Sequence, residues 1–272
     1  MQDLKRFLDE DVGKGDITTE IFVPDNYGTA SILCEEDSVV AGLEEAQEIF
    51  KLLNVESKLL TGDGCRVRKG MIVMTLSGPL KGILTGERTA LNFLMRMSGI
   101  ATATASVIEI VRTQDDNIKI AGTRKTTPGF REFEKKAIAL GGGWPHRSGL
   151  YDMIMIKDNH ILACGGIKNA MKKAKNAPQG IMIDVEVSNI DDGIIATKYG
   201  ADIIMADHMT PADTKMLRDV AKKINPEILI EASGNITKDN ILDFTNCADI
   251  VSLGALTHSV KAVHFSLDIT NN

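Results

Sequence analysis

The sequence predicts an α/β protein, in which a β-rich N-terminal region precedes a parallel barrel of six to seven strands, short of the full eight. Three observations carry this. From Asn117 onward, short apolar strands alternate with helical stretches, the rhythm of a parallel sheet. Most of those strands are continuous apolar runs, as expected where both faces are covered. Polar residues stand at the carboxyl end of almost every one, where a barrel collects its functional groups.

Taken in order, the N-terminal region shows strands at 30–33 and 39–40 and a short amphipathic helix at 43–53. Strands at 58–60 and 71–76 follow, punctuated by Gly62, Gly64, Gly70 and Gly78. A long helix over 87–112 links this region to the next, so the domains are expected at 1–112 and 113–272, the last residues packing back on the first domain. The later strands fall at 118–121, 153–156, 181–187, 202–206, 228–231 and 249–253, with helices at 166–175, 191–199, 211–224 and 238–245. An open doubly wound sheet is the alternative. It should carry a glycine fingerprint after its first strand, but TRKTTPGFR stands there, and no Walker-type loop occurs.

Charge and composition narrow the class. With 37 acidic and 31 basic residues the net charge is −6, against a nucleic-acid or anionic-membrane surface. Any bound anion then needs a local cluster of cations. Cys34, Cys65, Cys164 and Cys247 are far apart and are expected to be reduced, small buried hydrophobes. The charged N-terminus and the lack of an apolar run near about 20 residues point to a cytoplasmic protein.

That cluster exists. Arg124, Lys125, Arg131, His146, Arg147 and Lys157 lie close together in sequence. Arg131, Lys135 and Lys136 read as a solvated helix face, but Lys157 ends the apolar run MIMI, where a lone ammonium is costly unless an anion meets it. Several Arg and Lys together suit a ligand with more than one carboxylate or phosphate. Glu186 and Asp207 end successive strands and should face one mouth, fit to hold Mg²⁺ or sugar hydroxyls. Paired carboxylates also serve glycosidases, whose sites are usually aromatic, and this chain is only 4% aromatic. EASGNI and SLGALTHS place small residues at strand ends before helices, natural phosphate seats. The five histidines show no zinc spacing, and His160 and His264 read as plain hydrogen-bonding residues.

These segments resemble the quinolinate phosphoribosyltransferase family. The matching pieces are GDITT (15–19), ERTALNFL (87–94), TRKTTPGFR (123–131), GGGWPHRSGL (141–150), IKDNHI (156–161), EVS (186–188), EASGNI (231–236) and SLGALTHS (252–259). The resemblance implies an N-terminal α+β open-faced sandwich, an incomplete parallel α/β barrel, and Mg²⁺-dependent conversion of quinolinate and phosphoribosyl pyrophosphate. By motif position, Thr123, Arg124, Lys125, His146, Arg147 and Lys157 would surround the dicarboxylate and a nearby phosphate. Glu186 and Asp207 would face ribose and metal, with Lys125, Lys157, Glu186 and Asp207 as the catalytic set. Ser233, Gly234, Asn235, Ser252, Leu253, Gly254 and His258 would seat phosphate and substrate. Arg88, in the ERTALN helix, would reach a neighbouring subunit's site, making a homodimer with shared sites that could assemble to hexamers. Pro145, Asp158 and His208 depart from the commonest residues of the family. Two other readings stay open: a relative acting on another aromatic acid, and a non-catalytic sensor of a phosphorylated metabolite. Arg124 and Arg147 kept with Lys157 favour a dicarboxylate, and the acids Glu186 and Asp207 disfavour a mere anion sensor.

Overall fold

A computed structural model describes residues 4–270, which fall into two units. One holds the chain up to Ala105, Ala139–Gly141 and the chain from Val260 on; the other holds Ser106–Ile138 and Gly142–Ser259. The first unit opens with α1 (Lys5–Val12) and α2 (Ile17–Phe22), the latter started by Asp16, whose carboxylate accepts the Thr19 N–H at 3.0 Å. Then come β1 (Tyr27–Cys34), β2 (Ser38–Val39), α3 (Leu43–Leu52), β3 (Glu56–Leu59), β4 (Arg66–Val67), β5 (Ile72–Pro79) and α4 (Leu80–Arg112). Along β1, Ala30, Ile32 and Cys34 are buried while the residues between them are not, the pattern of an antiparallel sheet covered on one face.

The helix α4 begins seven residues before the expected 87. Gly82 and Gly86 hid its start, because glycine reads as a breaker. Here both make room: a Cβ on Gly82 would stand 2.7 Å from the Leu53 carbonyl oxygen, and one on Gly86 2.8 Å from Leu53 Cδ1. By length and composition α4 passes for a membrane span, contrary to the sequence reading that no stretch approaches one. Its Leu91, Leu94, Met97 and Ile100 are buried instead in the protein's own core.

The second unit contains β6 (Lys119–Ala121), α5 (Arg131–Leu140), β7 (Ile154–Ile156), α6 (Asp158–Ala163), α7 (Ile167–Ala174), β8 (Ile183–Val187) and α8 (Ile190–Lys198). It continues with β9 (Ile203–Asp207), α9 (Pro211–Ile224), β10 (Leu229–Ser233), β11 (Ile250–Ser252) and α10 (Ala255–His258). All six expected strands are present. The helix expected at 238–245 is only a 3₁₀ turn, Ile241–Phe244. Asn240 accounts for this: its side chain accepts the Thr237 N–H at 2.8 Å and donates to the Asn235 carbonyl at 3.2 Å, local bonds that compete with a helix. The last strand, β12 (Phe265–Thr270), pairs antiparallel with β1 in the first unit, giving a sheet ordered β12-β1-β5-β3.

Strand order in the second sheet is β6-β11-β10-β9-β8-β7, all parallel. From β7 to β11 consecutive strands are neighbours, and β11 is joined to the first strand, β6, the order of a barrel and not of a doubly wound sheet. Closure between β6 and β7 is incomplete. On that edge, among the described residues, Trp144 bridges to β6, its N–H on the Ile120 carbonyl (2.7 Å) and its carbonyl taking the Gly122 N–H (3.0 Å), a rudiment of a seventh strand. Val185, Val187, Ile204, Ala206 and Ile230 pack outward with Met171 and Leu217 of the helices. Ala121, Met153, Ile203 and Ile250 form a separate apolar plug inside. Most of the alternate residues above that plug are polar.

Candidate functional site

The inward positions of the strands lead to a cavity of about 450 Å³ at the carboxyl ends. Residues 184 and 186 of β8 share one face, as do 205 and 207 of β9 and 231 and 233 of β10. Ladder register aligns Glu186 with Met205 and Glu231, and Asp207 with Ser233. The cavity thus has an upper rim of Asp207 and Ser233 and a lower ring of Glu186, Met205 and Glu231. Of the expected residues, Thr123, Arg124, Lys125, His146, Arg147, Lys157, Glu186, Asp207, Ser233, Gly234, Asn235 and Ser252 line it together.

Four expected residues lie elsewhere. Leu253 is 2% exposed, and its N–H donates to the Ala121 carbonyl at 3.0 Å, tying β11 to β6. Gly254 passes close to Lys125, where a Cβ would meet Lys125 Cδ at 3.1 Å and His258 Nε2 at 2.9 Å. His258 is exposed, with Nδ1 at 2.5 Å from the Ser259 hydroxyl. Arg88 belongs to the first unit, exposed on α4.

Below the cations sits an acidic cluster. His146 Nδ1 accepts the Arg147 N–H at 2.8 Å, so the proton resides on Nε2, which donates to Glu231 at 3.0 Å. Ser252 donates its hydroxyl to the other oxygen of the same carboxylate. Asp184 lies 3.8 Å from His146 Nε2 and is fully buried, with neither carboxyl oxygen hydrogen-bonded. Burial first, and the Glu231 charge second, hold its carboxyl well above the usual range. Trp144 packs on the His146 ring at 4.5 Å. The sequence reading counted Glu231 among the polar strand ends of the barrel mouth but gave it no role, and it missed Asp184; it also passed over Met155, Met205 and His208, which line the cavity. An acid inside the apolar run IDVEV was the available signal.

Above the cluster, positive charge is crowded. Arg147 is 8% exposed; burial lowers its guanidinium's pKa, and the neighbouring Arg124 charge adds to the fall. Arg124 Nε is buried without a hydrogen-bond partner. Lys157 is paired with Glu186. The expected phosphate turn at 233–235 works differently from the helix start anticipated. No α-helix follows directly; Gly234 (φ 92°) and Asn235 (φ 53°) turn the backbone through the left-handed region instead. A Cβ on Gly234 would lie 2.8 Å from the His208 backbone nitrogen, so only glycine fits. His208 itself is left-handed (φ 55°), its N–H on the Ser233 carbonyl at 2.9 Å.

The four cysteines are free, two buried, Cys164 half-buried and Cys65 exposed. Lys135, expected on a solvated face, is 5% exposed and donates to the Pro145 carbonyl.

Comparison with known proteins bears on the family and the fold. The family model described as quinolinate phosphoribosyl transferase, C-terminal domain, matches residues 100–268, and its N-terminal counterpart matches 16–98. A "Probable nicotinate-nucleotide pyrophosphorylase [carboxylating]" of Bacillus subtilis is 43% identical over 271 residues, covering 98% of this chain and 92% of its own. The Homo sapiens protein called "Nicotinate-nucleotide pyrophosphorylase [carboxylating]" is 36% identical over 88% of this chain and 82% of its own. The solved nicotinate-nucleotide pyrophosphorylase of Francisella tularensis superposes with a TM-score of 0.92 at 34% identity, over 98% of this chain and 94% of that one.

Proposed function

The chain belongs to the quinolinate phosphoribosyl transferase family, and from that premise we propose how its own side chains carry out the family's reaction. The enzyme transfers the phosphoribosyl group of phosphoribosyl pyrophosphate to quinolinate with decarboxylation, giving nicotinate mononucleotide, pyrophosphate and CO₂ in NAD biosynthesis. The observation that carries the assignment of roles is the pairing of the half-buried Arg124, its Nε without an acceptor, with the buried Arg147, whose charges oppose each other. A planar dicarboxylate relieves that opposition and offers each guanidinium an acceptor.

The ring nitrogen attacks the sugar C1′ as the C1′–oxygen bond breaks and pyrophosphate leaves. Positive charge grows on the sugar; Glu186 and Asp207, which line the cavity, stabilise it and hold the ribose hydroxyls. Lys125 and Lys157 balance the phosphates and carboxylates, and the 233–235 turn seats the 5′-phosphate. The ribosylated nitrogen then carries a positive charge. It stabilises the electron pair left on C2 when the adjacent carboxylate departs as CO₂, and C2 takes a proton from solvent. No covalent nucleophile is needed; the site works by position and charge.

Glu186 and Asp207 also suit Mg²⁺, a hard cation that takes oxygen ligands and keeps waters and substrate phosphates. Among the described residues the one three-ligand group, His146, Asp184 and Glu231, has its imidazole N–H already committed to Glu231, so Glu186 and Asp207 are the better donors. When bound there, the ion supplies charge neutralisation to the leaving pyrophosphate.

The direct test incubates the protein with quinolinate, phosphoribosyl pyrophosphate and Mg²⁺ and follows nicotinate mononucleotide and CO₂. Formation of both, lost without Mg²⁺ or quinolinate, is expected; no product from folded protein would sink this reading. We further propose a cytoplasmic homodimer whose sites are completed by Arg88 from the other subunit. Arg88→Ala and Arg124→Ala should each be nearly inactive, and mixed together they should regain up to about a quarter of wild-type activity if hybrids form at random. No recovery from a mixture shown to exchange subunits would place each site within one chain.

A further inference from the structure

Two irregular loops bring the cations into the cavity: 123–129 carries Arg124 and Lys125, and 143–148 carries His146 and Arg147. Side chains that must meet a ligand to about 0.5 Å need their loops held from behind. Consecutive residues of α5 hold them. Glu134, with no solvent exposure, accepts the Thr127 N–H at 3.2 Å and the Thr127 hydroxyl at 2.9 Å. Lys135 donates its ammonium to the carbonyl of Pro145, the residue before His146. Arg131, one turn earlier, bridges both loops, with Nε on the Thr126 hydroxyl at 3.0 Å and Nη1 on the Ser148 carbonyl at 3.4 Å. Adjacent helix positions point about 100° apart, so neighbouring side chains can grip different loops.

We infer that Glu134 and Lys135 are positioning residues that clamp the two cationic loops, one loop each, and so set the spacing of Arg124 and Arg147 for a dianionic ligand. This deepens the phosphoribosyl-transfer reading and rests on it. The charge at residue 135 supports the inference. Burial pushes the Lys135 ammonium down to about 8; Asp152 opposes the fall, while Arg131, Arg124 and Arg147 add to it. In the unfolded chain the ordinary value is 10.5. The folded state therefore binds the proton less well, and stability rises as pH climbs from about 8 towards 10.5. At neutral pH the buried cation costs stability, and methionine would fill similar volume without that cost. Loop position, not core stability, is what the ammonium supplies.

The test compares the full-length wild type, Lys135→Met and Glu134→Gln by amide hydrogen exchange, thermal melting and quinolinate kinetics. Lys135→Met should speed exchange at least fivefold in 143–148 and leave 123–129 unchanged. Its melting point at pH 7 should be no lower than wild type, its kcat/KM for quinolinate at least tenfold down. Glu134→Gln should loosen 123–129 instead. Unchanged exchange in both loops, or faster exchange throughout with a lower melting point in both variants, would overturn the clamp and leave α5 a stability element. Exchange is read without substrate, so an inactive wild type would count against the proposed reaction, while the loops still decide the clamp.

Discussion

The two sheets of this protein place their polar residues on opposite kinds of surface. On β1 of the first unit, Thr29 and Ser31 alternate with the buried Ala30 and Ile32, and Thr29 meets Thr270 of β12 at an exposed hydroxyl pair. In the second unit the strands are covered outside by helices, so a polar residue has only the barrel interior to face. Asp184, Glu186, Asp207, Glu231, Ser233 and Ser252 all do so. In a one-sided sheet a polar residue is an ordinary consequence of alternation; in a sheet covered on its outer face it needs a partner or a ligand.

The sharpest way to break that contrast is to change one polar strand residue in each sheet. Glu231→Gln keeps the volume but removes the charge that receives the His146 N–H and the Ser252 hydroxyl. Bonds to a charged group contribute about 1.5–3 kcal/mol, so kcat/KM for quinolinate should fall roughly 10- to 100-fold. Ser31→Ala on β1 should stay within about 0.5 kcal/mol of wild-type stability and about twofold of its activity. Comparable losses in both variants, measured by steady-state kinetics and urea unfolding, would end the distinction.

The same contrast explains what could be read beforehand. Lys157, Glu186 and Asp207 stand at the ends of apolar runs, so they were visible without knowing which way the strands face. Asp184 stands within a run that is apolar on both faces. The apolar residues of such a run do not alternate with polar ones, so they do not by themselves give the inward phase. Two acids two apart in IDVEV do reveal the phase, since only the interior could take both. The cationic motifs were legible because their residue types are unusual together. The helix behind them was not: a charged REFEKK stretch resembles any solvated face, and only tertiary contacts show that Glu134 and Lys135 turn inward. Likewise β12 owes its pairing to a partner more than two hundred residues away in sequence, Thr270 opposite Thr29.

A smaller test concerns backbone strain in the two units. Each contains a non-glycine residue in the left-handed region, Asn54 (φ 58°) after α3 and His208 (φ 55°) at the cavity. Asparagine adopts that conformation readily because its short polar side chain bonds locally; a ring-bearing residue gains less from it. His208→Asn should therefore raise stability by about 0.5 kcal/mol, a melting shift of roughly 1–2 °C. Because His208 lines the cavity with its Nε2 3.8 Å from Asp207, the kinetics separate two origins of the strain. If stability rises and the KM for phosphoribosyl pyrophosphate is unchanged, histidine at 208 serves nothing in the site. If stability rises while that KM increases, the strain holds an imidazole beside Asp207 for the substrate. A fall in stability would show that His208 gains more from its cavity contacts than its backbone loses.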